Sequence, residues 1–312
     1  MTTQYWITGA SGDWSDAADW VSGAVPDSAD GAVITNTSSV TVNGTAAAYS
    51  LTLDGSYLTV SGALTLGTSL TVDDGATLAL SGGTLSAQSI SSNDGGSLSG
   101  YGTISGAVSG LVFITAAGGT LQVQGSLAGD QGRFTIDGGA SLELSNGGGA
   151  APVIFDGNSA TLKLDAPAAF TAPIEELVVG DAIDLAGITA SSATYSGSTL
   201  TVPETNGQQL IYSNVSGALT GDAVTVASDN NGGTLVYWSA APVGTTQYWL
   251  TGRSGDWSDA ADWQSGAVPD SADGAVITNT SGVTVDGTAA AYSLTLNDSY
   301  LTVSGALTPV RR

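Results

Sequence analysis

The chain has 312 residues, 28 acidic against 5 basic side chains, a formal net charge of −23, and neither cysteine nor histidine. Its field repels nucleic acid and anionic membrane. The missing side chains exclude disulfides, thiolate metal sites, histidine-based zinc or iron centres, and Ser/His/Asp or Cys/His triads.

With 44 glycines and 11% charged residues, the composition predicts a folded chain that turns often and holds little long-helix material. The opening Met1-Thr2-Thr3-Gln4-Tyr5-Trp6 carries no charged and apolar signal region, and no run of about 18 apolar residues occurs. Membrane insertion is therefore not expected, and the signal of an exported protein would lie elsewhere or have been removed. Residues 1–32 form a Trp-rich N-terminal cap. Within it, Ser15-Asp16-Ala17-Ala18-Asp19-Trp20 predicts one capped helical turn, with Ser15 or Asp13 accepting backbone N–H groups. Tyr5, Trp6, Trp14 and Trp20 are expected to plug the first coil; the alternative is a platform on which sugar rings stack.

From residue 33 to 165 short alternating triplets follow one another: Val40-Thr41-Val42, Leu51-Thr52-Leu53, Leu58-Thr59-Val60, Leu64-Thr65-Leu66, Leu70-Thr71-Val72, and later Leu142-Glu143-Leu144 and Leu162-Lys163-Leu164. A period of two sends the outer residues inward and the middle one to water. Between the triplets sit turn pairs such as Asn43-Gly44, Asp54-Gly55 and Asp137-Gly138. Strands this short are too closely spaced for an ordinary sandwich. They predict an all-β, right-handed parallel β-solenoid with about 20 residues per coil, about seven coils and a length of roughly 30–35 Å.

Residues 166–240 change character, with longer strands and hairpin signals such as Asp229-Asn230-Asn231-Gly232-Gly233. This segment is read as an antiparallel β cap, because an open solenoid end leaves a row of unpaired backbone groups. Residues 241–312 are read as a linker and the start of a second, near-identical repeat. Residues 2–65 recur at 245–308 with seven differences: Ile7/Leu250, Ala10/Arg253, Val21/Gln264, Ser39/Gly282, Asn43/Asp286, Asp54/Asn297 and Gly55/Asp298. The cap residues thus return as Tyr248, Trp249, Trp257 and Trp263. Arrays grow by such duplication, whereas a chemical active site rarely needs its first quarter copied.

The block Tyr5-Trp6, Gly12-Asp13-Trp14-Ser15-Asp16-Ala17-Ala18-Asp19-Trp20 and Gly23-Ala24-Val25-Pro26-Asp27-Ser28-Ala29-Asp30 resembles the opening motif of bacterial secreted β-solenoid surface proteins, the autotransporter passenger-like and adhesin-like repeat proteins. The resemblance covers residues 2–165. It implies a structural rod, filament or adhesive stalk at the cell surface or outside the bacterial cell. Gly180-Asp181-Ala182-Ile183-Asp184-Leu185 is similar to segments near the ends of calcium-binding proteins exported in one step. Neither a calcium nonapeptide array nor a C-terminal membrane barrel accompanies these motifs.

Three chemistries compete with a purely structural role. A glycan-binding or glycan-cleaving β-helix needs two carboxylates on one groove; Asp73, Asp74, Asp130, Asp137 and Glu143 are candidates, beside Arg133 or Lys163. Calcium would suit the all-oxygen set Asp13, Asp16, Asp19, Asp27 and Asp30, repeated at Asp256, Asp259, Asp262, Asp270 and Asp273, although turn and cap roles explain the same residues. Ice binding would use Thr41, Thr52, Thr59, Thr65 and Thr71, but these are expected on different sides of the coil. The expected partners are the chain itself, head-to-tail, or neighbouring repeats, and surface glycans. In the head-to-tail form, residues 245–308 occupy the place of residues 2–65 on a neighbouring molecule.

Overall fold

A computed structural model describes residues 2–73, 75–92, 95–127, 132–147, 149–219, 223–239, 244–250, 252–278 and 281–309. The chain is all-β, a mostly parallel solenoid of about 13 turns with some antiparallel strands. It divides into two compact units, the first reaching Ser239 and the second covering the described residues from 244 onward.

In the first unit the triplets stack in register. Val40, Leu58, Leu78 and Leu98 lie directly above one another, then Ile114, Phe134, Val153 and Ile174. Each is inward and almost fully buried, so each contributes about 1.5–3 kcal/mol of hydrophobic stabilisation relative to exposure. One coil carries the chain from Val40 to Leu58, the next to Leu78 and the next to Leu98, which is the coil length that the triplet spacing predicts. Pairing at this interval satisfies the backbone groups of strands too short to stand alone.

Three faces are built. The first stacks Thr3–Tyr5, Gly31–Thr35, Ser50–Asp54 and Ser69–Asp73. The second begins with Ser11–Asp13 and Ser39–Val42, and the third with Thr45–Ala48 and Ala63–Leu66. Thr77–Ser92 then winds through all three in one continuous strand. The first face ends at a bridge between Val108 and Leu127, and later coils have two sides, Arg133–Asp137 with Ser141–Leu144 and Val153–Asp156 with Thr161–Leu164. The parallel stack therefore starts inside the Trp-rich block and passes residue 165, through Ile174–Leu177, Ala182–Leu185 and Val215–Gly217.

Antiparallel pairing appears in 166–240. Thr234–Ser239 runs antiparallel along Ala182–Leu185, and Thr194–Ser196, Thr199–Pro203 and Gln209–Tyr212 form a separate antiparallel sheet. The candidate threonines divide as the triplet spacing requires: Thr41 and Thr59 stack on the second face, Thr52 and Thr71 on the first, and Thr65 lies on the third.

The second unit repeats the opening coils. Thr246–Tyr248, Gly274–Thr278 and Ser293–Asn297 form one parallel sheet, Ser254–Asp256, Gly282–Val285 and Tyr300–Val303 another, and Thr288–Ala291 pairs with Ala306–Pro309. The linker positions 240–243 lie outside the described residues.

Candidate functional site

The tryptophan block occurs twice and is built the same way each time. Trp6, Trp14 and Trp20 are at most 2% exposed. Their rings meet edge to face, Trp6 with Trp20 at 5.1 Å and Trp14 with Trp20 at 5.0 Å between centroids, an arrangement that suits the ring quadrupoles. Trp20 Nε1 donates to the Trp14 carbonyl at 2.9 Å, and Trp6 Nε1 to that of Ala10 at 3.1 Å. Trp249, Trp257 and Trp263 repeat the pattern at 5.1 and 5.0 Å, with the matching bond from Trp263 to Trp257 also 2.9 Å. Buried rings present no face to a sugar, so the stacking platform expected as an alternative does not form here. Tyr5 and Tyr248 stand apart from the plug: the strand alternates, Gln4 and Trp6 turn inward, and Tyr5 is left 54% exposed.

The aspartates of this block serve local backbone. Asp16, rather than Ser15, caps the single 3-10 turn Ala17–Asp19 by accepting the Ala18 N–H at 2.9 Å. Asp13 accepts the Ser15 N–H and hydroxyl and the Asn43 side-chain amide, and these bonds, the Ser15 hydroxyl foremost, hold its carboxyl below the ordinary value. Asp27 accepts from Ala29 N–H, and Asp30 from Thr2, whose hydroxyl keeps Asp30 similarly low. Asp259, Asp270 and Asp273 repeat these roles toward Ala261, Ala272 and Thr245. Asp256 does so with Ser258, whose hydroxyl bond lowers it. Asp19 lies against the Gly12 backbone, where a Cβ would overlap its carboxylate, and Asp262 lies likewise against Gly255. Among the described residues no group of three or more Asp or Glu side chains is placed to hold a metal ion.

The two copies differ in one pairing that the sequence does not announce. Arg253, which replaces Ala10, binds Asp262 at 2.8 Å, while the equivalent Asp19 has alanine at that position.

A ladder of polar side chains crosses the third face. Gln122, Glu143, Lys163 and Asp184 are in-register neighbours on successive coils. Lys163 Nζ lies 2.8 Å from Glu143 and 3.5 Å from Asp165. The Glu143 bond is the main reason the ammonium pKa is raised. Asp184 is pushed up, first by burial and then by the charge of Asp229, and its Oδ1 has no hydrogen-bond partner. One cation thus lies among several carboxylates, which offset its charge. Asp181, in the same Gly180–Leu185 segment, is fully buried and accepts the Ala160 and Val178 N–H groups at 3.0 and 2.9 Å. It ties one coil corner to the next, a structural use for that motif.

A third cluster lies at the end of the second face. Asp137 and Asp156 are stacked neighbours, and burial, then the Asp156 charge, raises Asp137. Asp156 and Glu176, with Asn158 and Ser216, border an open notch of about 480 Å³. Glu176 adopts φ 63° where the strand pairing slips between Ile174 and Leu177. Of the other carboxylate candidates, Asp73 stacks on Asp54, while Asp74 and Asp130 lie outside the described residues. Arg133 stacks over Phe113, 5.5 Å from the ring centre. Asp156, missed from sequence, stands one coil beyond Asp137, so a coil-length offset would have found it, and the same offset places Asp184 beside Lys163.

No family model matches the chain, and no match was found among curated proteins or solved structures. The fold and the tryptophan clusters therefore carry the functional argument by themselves.

Proposed function

We propose that this chain is a structural repeat segment of a secreted or cell-surface bacterial protein, building a rod, filament or adhesive stalk whose partners are copies of itself or neighbouring repeats. The observation that carries the reading is the second tryptophan plug. A complete three-Trp start is built twice, with ring spacings of 5.1 and 5.0 Å in both copies. A solenoid that begins again is an array, and stacking is how arrays extend. The field of a −23 chain also keeps such a rod soluble.

The test is solution mass by size exclusion with light scattering, in chelator and in millimolar calcium, for the full chain and for a chain lacking residues 241–312. Concentration-dependent polymers from the full chain, absent after the deletion, support the reading. Polymers that form only with calcium assign a role to the aspartates. A monomer at every concentration removes the self-assembling rod and leaves only a passive stalk segment.

A second reading, glycan binding or cleavage, is favoured by the notch beside Asp156 and Glu176. Soluble glycans titrated against the protein, with Asp156→Asn and Glu176→Gln as controls, test it: heat or product that both variants abolish supports it, and none in the parent chain discards it.

A further inference from the structure

Seven positions distinguish the two copies of the opening block, and one of them sits where coils are tied together. In the first unit Asn43, at the corner after Ser39–Val42, spans three coils. Its side-chain amide donates to Asp13 at 2.6 Å, and its side-chain oxygen accepts the Ser61 hydroxyl at 3.3 Å. This takes one donor and one acceptor on the same side chain, which an amide has. The second unit carries Asp286 there. Its carboxyl lies within hydrogen-bond reach of Asp256, which also accepts the Ser258 N–H and hydroxyl. An ionised carboxylate only accepts, whereas a protonated one keeps a donor and an acceptor, as the amide does.

We propose that Asp256 and Asp286 form a proton-operated clasp between the first two coils of the second unit, fastened in acid when Asp286 donates to Asp256 and loosened at neutral pH when both are charged. The Ser258 hydroxyl foremost, then its N–H, holds the Asp256 carboxyl below the ordinary value, so Asp256 is the acceptor and the shared proton sits on Asp286. Like charges on adjacent strands are unfavourable, and two carboxylates at one site take up their protons in two separated steps. The folded pair therefore binds its first proton more tightly than the separate aspartates of the unfolded chain. Stability of the corner rises as pH falls from neutrality toward the ordinary aspartate value, about 3.9, and rises no further below it. The lowered Asp256 carboxyl acts the opposite way, giving a stabilisation present above the ordinary value and lost as pH falls through the folded one. Asp13, lowered likewise by Ser15, brings the same loss to the first unit, so it cancels between the copies. Asp13 is the only titratable side chain lining the hollow of about 200 Å³ beside Asn43, and Ser61 reaches Asn43 from the next coil. By the repeat, Asp256 faces Asp286, with Ser304 on the coil above. The other two charges gained by the second copy lie elsewhere: Arg253 pairs with Asp262, and Asp298 sits in the turn before Tyr300–Val303.

Reciprocal exchange tests the clasp, because each variant only installs the residue with which the other copy already folds. Full-length Asp286→Asn and Asn43→Asp proteins are compared with the parent chain by amide exchange at about pH 7 and about pH 4, the ends of that interval. Chelator is present throughout, and rates are corrected for the intrinsic effect of pH. Peptides covering 252–258 and 282–288 report the second unit, and 9–15 and 39–45 the first; each pair differs in sequence, so the copies are told apart. Carboxyl-carbon NMR follows Asp256 and Asp286 themselves.

The expected result is protection in the second unit that rises severalfold from neutral pH to acid while that of the first unit does not. Asp286→Asn removes this response, Asn43→Asp transfers it to the first unit, and the two carboxyls titrate in coupled steps. Equal pH responses of the two units in the parent chain overturn the proposal. So does a response that survives Asp286→Asn, because the proton then sits elsewhere, and so do two independent, ordinary titrations of Asp256 and Asp286.

Discussion

Gly102→Ala should be among the most damaging single-methyl changes in the solenoid. Gly44, Gly62, Gly83 and Gly102 mark one corner on successive coils, and each later glycine faces the carbonyls of the coil before it. A Cβ on Gly102 would overlap the Gly83 carbonyl oxygen and come within 3.3 Å of its carbon and 3.2 Å of its nitrogen. Those atoms are backbone and cannot rotate away. The residue also holds φ +135°, a region L-residues avoid at about 1–3 kcal/mol. Forcing neighbouring coils apart adds roughly 1–3 kcal/mol, and the stiffer unfolded chain returns about 0.4–1 kcal/mol. The net loss is about 1–5.5 kcal/mol, which at the size of the first unit lowers the melting midpoint by roughly 2–20 °C. Thermal unfolding followed by tryptophan fluorescence measures it. Gly44→Ala is the internal control, because its Cβ would meet nothing within 4 Å. If the two variants melt within about 0.5 kcal/mol of each other, the close stacking of coil corners is not what these glycines provide.

Arg253→Ala should loosen the second tryptophan block, because it strands Asp262, whose side chain is only 12% exposed; the loss is about 1 kcal/mol, read as faster amide exchange across 246–263. The reciprocal Ala10→Arg should stabilise the first block by about 0.5 kcal/mol, and unchanged exchange in both would show that the ion pair contributes nothing. Asp184→Asn should raise the midpoint at pH 7. Burial lifts the folded pKa of Asp184 above its ordinary value, so the folded state binds the proton more tightly, and the cost is present at neutral pH and relieved as pH falls through the interval down to the ordinary value. The gain should therefore vanish in acid; a loss at pH 7 instead would mean that attraction to Lys163 outweighs burial.

How much is readable from the letters alone varies by residue. The triplets around Leu58, Leu78 and Leu142 declare inward and outward sides without any structure, because a strand has only two faces. Helix capping at residues 15–20 is legible as a motif but not down to its oxygen: Ser15 and Asp13 are the acceptors the letters suggest, and the backbone path selects Asp16 for the turn while Asp13 takes the Ser15 N–H. Composition groups Tyr5 with the tryptophans, although the alternation Gln4, Tyr5, Trp6 already separates it. Asp19 and Asp262 look identical in sequence, yet one has an arginine within reach and the other does not.

Repeat, turn spacing and apolar core needed nothing beyond the order of the amino acids, because they follow from periodicity and turn chemistry at a few neighbouring positions. Which residues meet across coils was settled by folding in three dimensions: Lys163 with Glu143 and with Asp184, Asp137 with Asp156, and Gly102 with Gly83. A full coil of chain separates each of these pairs, so a short window of sequence never sees both members. Whether a carboxylate there is a turn, an ion pair or a buried charge depends on that long-range register.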